Sequence, residues 1–199
     1  MKLYYTTTEK SMAEQQNPSK SLGGYQSSSE VLNDVMGNLF SDISLNMMKD
    51  GKSTFRAIVL VNDSDAELKN VTLWFSNGSD NKEAPVQGLF FIGAVEMYKN
   101  EKDEWITSSI PNESSRPYSI SFSEATEEYP VTIGDLPSDA HVCLWIERKI
   151  DKEACKTDYD TVAEQIPENP HRWREVEKET EEKIELNIIR EVIGETAEQ

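Results

Sequence analysis

Between Ile43 and Ile150 the apolar residues recur mostly every second position, and this period constrains the chain more than any other feature it has. Side chains alternate sides along a β-strand, so period two marks a strand with one face buried. Val71, Leu73 and Phe75 alternate with Asn70, Thr72, Trp74 and Ser76. Tyr118, Ile120 and Phe122 oppose Ser119 and Ser121, and Val142, Leu144 and Ile146 oppose His141, Cys143, Trp145 and Glu147. Ala57–Val61 is apolar at every position, as a central strand covered on both sides would be. Strands are predicted at Ile43–Met47, Thr54–Asn62, Leu68–Ser76, Val86–Tyr98, Trp105–Ile110, Tyr118–Ser123, Tyr129–Ile133 and His141–Ile150. Asn-, Asp-, Ser-, Gly- and Pro-rich clusters separate most of them, as turns require. Seven or eight short strands at this spacing predict an all-β domain, an immunoglobulin-like two-sheet sandwich over residues 41–150. The Cys…Trp…Cys signature of antibody domains is absent, so only the architecture is implied.

The flanks differ from this body. Thr6–Ser29 is Thr, Glu, Gln, Asn, Pro, Ser and Gly with few apolar side chains. Such a composition buries too little to offset its own ordering entropy. Residues 1–40 are therefore expected to form an extended N-terminal arm with a short anchoring helix near Val31–Phe40, ordered by contact with a neighbouring subunit. Tyr4, Tyr5, Leu22 and Tyr25 would be its anchors and Gly23-Gly24 its hinge. Residues 151–199 read as a charged, partly helical insertion ending in an edge strand over Lys183–Val192, where Ile184, Leu186 and Ile188 alternate with polar residues.

Charge narrows the partners. The chain carries 37 acidic and 20 basic side chains, a net charge of −17. The excess is nearly absent from residues 1–52 and is shared evenly by residues 53–150 and 151–199. That field repels nucleic acid and anionic membrane, and suits a partner with a basic surface. The opening Met1-Lys2-Leu3-Tyr4-Tyr5-Thr6 shows no apolar leader, and no run approaches the length of a membrane span. Cys143 and Cys155 do not form a disulfide framework, which fits a reducing compartment.

Chemistry-bearing patterns are weak, so no enzyme is read here. His141 and Cys143 share one strand face, and Cys155 and His171 would complete four zinc donors, but without a Cys-x₂₋₄-Cys knuckle; no metal and no cofactor is expected. Asp63-x-Asp65 and Asn77–Asn81 lack the spacing of a calcium loop. Paired carboxylates such as Glu127-Glu128 are ordinary solvated charge. Trp74, Trp145 and Trp173 are the candidate aromatic contact face, either covered by the flanking segments, seated at a subunit contact or stacked on a sugar.

Several segments carry a resemblance: Ser21-Leu22-Gly23-Gly24-Tyr25, Leu39-Phe40-Ser41-Asp42-Ile43-Ser44, Ile133-Gly134-Asp135-Leu136, Leu144-Trp145-Ile146-Glu147-Arg148-Lys149-Ile150 and Ile184-Glu185-Leu186-Asn187-Ile188-Ile189. Together they resemble virion-associated structural proteins of tailed bacteriophages, including crAss-like phages; the insert around Asp158–Glu182 fits least. The resemblance implies a non-catalytic, Ig-like structural protein of the virion, assembled in the host cytoplasm. Its expected role is a ring or adaptor subunit at the head-to-tail connector, contacting further copies of itself and portal, connector, tail or capsid proteins. A homo-oligomeric ring is the expected state. Capsid decoration or fibre attachment is the near alternative, and a glycan-binding module for host attachment the alternative of another class.

Overall fold

A computed structural model describes residues 1–31, 38–40, 47, 50–76, 88–126, 128–150 and 187–188. The described part is built from strands: β1 (Lys2–Thr7), β2 (Gly23–Glu30), β3 (Ser53–Val61), β4 (Leu68–Leu73), β5 (Phe75–Ser76), β6 (Gly88–Glu96), β7 (Tyr98–Lys99), β8 (Trp105–Ser109), β9 (Ser123–Glu124), β10 (Val131–Leu136), β11 (His141–Ile150) and β12 (Asn187–Ile188). A single 3-10 turn, Pro18–Lys20, is capped by the Asn17 side chain. The all-β expectation is thus met.

Eight strands form one antiparallel sheet in the order β7-β8-β2-β1-β3-β11-β6-β9. β3 and β11 pair along nine residues, from His141 opposite Val61 to Lys149 opposite Ser53. These strands carry the most continuous apolar runs, and accordingly they sit near the middle. Only Met97 separates β6 from β7, yet the two lie at nearly opposite ends of the sheet order. One residue can bridge those positions only if the sheet curls until its ends meet. Met97 itself is buried inside the curl, and its amide bonds to the His141 carbonyl.

Curling gives the central strands two buried faces. Phe55, Ala57, Val59, Val61, Cys143 and Trp145 point inside with Met97 and Ile110. Ile58, Leu60, Val142, Leu144 and Ile146 point outside, where β4 and β10 form a small second sheet that lays Val71, Leu73 and Leu136 on them. Ala125 ties the layers together, donating to the Phe90 carbonyl and accepting from the Phe75 amide.

The N-terminal segment corrects the sequence reading. Lys2–Thr7 is not an arm; β1 lies between β2 and β3, with Lys2 opposite Val61 and Tyr5 opposite Ile58. Polar residues supply the bonding that composition alone did not reveal. The Thr6 amide donates to Ser21 Oγ at 2.8 Å, the Gly23 amide to Thr6 Oγ1 at 2.9 Å, and the Ala57 amide to the Ser21 carbonyl at 2.8 Å. Thr6 and Ser21 are fully buried. Once every polar atom is bonded, burying hydroxyls is affordable, and the segment becomes sheet.

Three smaller expectations also change. Tyr118–Phe122 is not a strand: Ser119 has a φ of 59°, which breaks the period-two alternation and leaves only Ser123–Glu124 paired. Residues 38–40 are not helical, and the rest of the predicted anchor helix lies outside the described residues. Met47, expected to end a strand at Ile43–Met47, is helical instead, its carbonyl accepting from the Gly51 amide at 2.9 Å. The rest of that predicted strand and nearly all of residues 151–199 lie outside the described residues; Asn187–Ile188 pairs with β5.

Candidate functional site

The charged side chains with the most elaborate surroundings collect where β3 begins and β11 ends. Arg56, nearly fully buried, donates through Nε to the Leu39 carbonyl at 3.1 Å and through Nη1 to the Phe55 carbonyl at 2.9 Å, and its Nη2 pairs with Glu113. Its guanidinium lies 5.2 Å from the Phe40 ring centre, and that of Arg148 lies 4.7 Å from the same ring. Arg148 Nε also donates to Thr54 Oγ1 at 3.3 Å. On the inner side, buried Glu147 accepts from Ser53 Oγ at 2.7 Å and from Arg116 Nη1 at 3.2 Å, while Arg116 covers the Phe122 ring at 4.8 Å. A buried charge is tolerated only when paired and hydrogen-bonded. Here the pairing has a structural result. Arg56 fastens Leu39–Phe40 and the Ile110–Pro117 loop to β3, with the Phe55 amide bonded to the Glu113 carbonyl at 2.8 Å. Arg116 fastens the far side of that loop to β11. The arrangement clamps loops and leaves these groups engaged with one another.

At the opposite end of β11, His141 stacks on Trp105 with ring centres 4.5 Å apart and contacts the Asp139 carbonyl through Nδ1 at 2.9 Å. Lys99 lies over the Trp105 ring at 5.1 Å. Burial holds the imidazole below its ordinary pKa, against the raising effect of the Asp139 carbonyl. Cys143 is enclosed, and burial pushes its thiol up to about 12. A thiol held protonated is neither nucleophile nor metal ligand at neutral pH. Among the described residues, no three His, Cys, Asp or Glu side chains come together as a metal site. Cys155, His171 and the Asn77–Asn81 loop lie outside them.

The residues singled out in the N-terminal segment are divided between the two faces of the sheet rather than gathered on one surface, and none stands free as an anchor. Tyr5 is buried, donates its hydroxyl to the Asn38 carbonyl, and has its pKa raised by burial. Tyr4 and Leu22 pack against the inner core, and the Leu22 carbonyl accepts from the Ile110 amide at 3.0 Å. Tyr25 pairs with Ile106 and Thr7. Gly23 and Gly24 have φ of 87° and 94°, and a Cβ on Gly23 would sit 2.1 Å from the Ser108 carbonyl oxygen and 2.9 Å from the Trp145 ring. Hence Gly23-Gly24 is no hinge; it is where β2 passes closely between β1, β8 and Trp145. Trp145 has no exposed surface and Trp74 is also buried, so neither contributes to an open aromatic face. Trp173 lies outside the described residues. Of the readings weighed for the tryptophans, cover by the N-terminal segment is what Gly23 provides at Trp145.

Sequence reasoning passed over Arg56, Glu113, Arg116, Glu147 and Arg148. The available signal was Arg56 inside an otherwise apolar stretch, since a charge on a two-sided strand must have a partner. It also missed how strongly Tyr118 is presented, at 92% exposed. No family model matches this chain, and neither a curated protein nor a solved structure matches it.

Proposed function

We infer that this protein is a structural subunit of a tailed-phage virion, most specifically a ring or adaptor protein at the head-to-tail connector. Its partners would be further copies of itself and portal, connector, tail or capsid proteins. The observation that carries the reading is the use of charge at the β3–β11 end. Arg56, Glu113, Arg116 and Glu147 are spent on fastening loops to a sheet, which is the work of a rigid building block. The motif resemblance gives the virion context, and the net charge of −17 favours protein surfaces over nucleic acid as partners. We read the curled sheet and its small covering sheet as a variant of the immunoglobulin-like sandwich. Because residues 1–30 belong to the body, assembly contacts in this proposal lie on other surfaces.

Capsid decoration or fibre attachment remains the neighbouring reading, since both would use the same rigid body. Glycan binding through Trp74 and Trp145 loses its platform with their burial. The test is mass spectrometry of gradient-purified particles from the phage that encodes the chain, beside velocity sedimentation of the isolated protein. Multiple copies per particle are expected. Particles that lack the chain while the infected-cell lysate contains it would overturn the assignment.

A further inference from the structure

The curled sheet closes through the surroundings of one residue. Met97 joins β6, which pairs with β11, to β7, which pairs with β8. His141, at the start of β11, supplies two ties there. Its carbonyl accepts from the Met97 amide at 3.3 Å, long for a bond of this kind. Its ring lies on that of Trp105 in β8, with centres 4.5 Å apart and planes inclined by 20°. The β7–β8 hairpin is braced within itself. Asn100 Oδ1 accepts from the Lys102 amide at 2.9 Å and the Glu104 amide at 3.0 Å, and Asn100 Nδ2 donates to Glu104 Oε2 at 2.9 Å. Its base is held by β2, with Gly23 opposite Ser109 and Tyr25 opposite Ile106. A unit built in this way opens as a whole where its outside contacts are weakest, here at His141.

The contacts of the ring fix where acid acts on it. Asp139, left-handed with a φ of 59°, turns its carbonyl to within 2.9 Å of His141 Nδ1. A carbonyl can only accept, so Nδ1 carries the hydrogen of the neutral ring and a further proton must enter at Nε2. The imidazolium so formed is half-buried and poorly hydrated. The Lys99 ammonium already lies 5.1 Å from the centre of the same indole, and pairs with Asp103 at 3.0 Å, so a second cation on Trp105 meets repulsion. The Asp139 carboxylate pulls the other way, but the surroundings as a whole disfavour the charged ring. Of the other carboxylates on adjoining elements, Asp63 is paired with Lys2, Glu104 is held by Asn100, and Glu96 lies opposite Val142 on β6.

We propose that His141 is an acid-sensitive clasp on this seam: a proton on its ring parts it from Trp105, and the β7–β8 hairpin swings away from β11 while β3 and β11 stay paired. The seam is then closed at neutral pH and opens in mild acid, uncovering Met97 at the mouth of the inner core. Opening is local because the nine-residue β3–β11 ladder makes no use of the imidazole. The clasp works in the same way whatever the chain assembles into, and so stands apart from the virion assignment.

The test is amide hydrogen exchange of the full chain followed by NMR between pH 7 and pH 5, with rates corrected for the intrinsic effect of pH. Protection of the Met97 amide should fall by about threefold or more across this range, the limit being the ratio of the ring's proton affinities in the open and closed states. The Ala57 amide, bonded to the Ser21 carbonyl at 2.8 Å, is the control in the core and should change less. His141→Phe keeps an aromatic ring for Trp105 but cannot titrate, and should leave Met97 protection level with pH. In the unaltered chain, the histidine ring resonances should titrate with the same midpoint as the loss of Met97 protection. Protection at Met97 that ignores pH or rises in acid, a fall matched at Ala57, or a fall retained in His141→Phe would each overturn the proposal.

Discussion

Removal of residues 1–30 should destroy the fold, because it takes out β1, an interior strand, and β2, the cover of Trp145. The loss can be built from its parts. Leu3 and Tyr5 leave the outer core, and burying one such side chain is worth roughly 1.5–3 kcal/mol. β3 loses its pairing from Val61 to Ile58, where each ladder hydrogen bond contributes about 0.5–1.5 kcal/mol net. Tyr4 and Leu22 leave the inner core, and Trp145 meets water. These terms together approach the roughly 5–15 kcal/mol that stabilises a whole domain. The truncated protein should show no cooperative thermal transition, poor dispersion of amide resonances and strong binding of a hydrophobic dye. A melting temperature within about 5 °C of the full chain would correspond to a loss of only about 1–3 kcal/mol at this size, and would refute the placement of β1 and β2 inside the sheet.

Smaller perturbations probe single elements. Gly23→Ala and Gly134→Ala share a positive φ, but only the first Cβ meets other atoms; urea denaturation should show about 1 kcal/mol lost at Gly134 and at least about 3 kcal/mol at Gly23. Asn62 is fully buried, its Nδ2 lies 2.9 Å from the carbonyls of Ala66, Leu136 and Pro137, and its Oδ1 accepts from Ser64; Asn62→Ala should cost about 2–4 kcal/mol in the same assay. His141 has a lowered folded pKa, so the unfolded chain binds the extra proton first, and its stabilising contribution is complete above the unfolded value of 6.5 and fades as pH falls below it. His141→Gln should therefore flatten the stability slope between pH 7 and pH 5, read by denaturation at several pH values. Cys143 should resist a thiol reagent until denaturant is added, because burial holds its thiol protonated.

The strands that were legible are those whose apolar period is unbroken. β3 and β11 lie within a residue of their expected bounds, since Ala57–Val61 and Val142–Ile146 can only be strands with little water on either side. The alternation puts Phe75 with Val71 and Leu73, but the ladder breaks at Trp74, which is buried as well. The same alternation groups Tyr118 with Ile120 and Phe122, and the left-handed Ser119 reverses it; nothing in a Ser between Tyr and Ile announces a positive φ. The candidate site was hidden for a related reason. Arg56 and Glu113 are far apart in the chain, and their pairing depends on a loop returning to the start of β3, which local periodicity does not encode.

The place of residues 1–30 in the sheet has a cause that lies in the sequence. Two strands that are apolar on both faces need two covers. Val71, Leu73 and the Val131–Leu136 segment supply one, and the remaining apolar residues of the body must supply the other. Trp105, Ile110, Ile120 and Phe122 are too few to enclose Phe55, Ala57, Val59, Val61, Cys143 and Trp145 unaided. The second face therefore called for chain from elsewhere. Leu3, Tyr4, Tyr5 and Leu22 were the nearest apolar residues to recruit, provided that the hydroxyls travelling with them found partners. Thr6 and Ser21 found them in each other and in β3. Counting unsatisfied faces, rather than averaging hydropathy over a window, separates an arm of this composition from a strand pair.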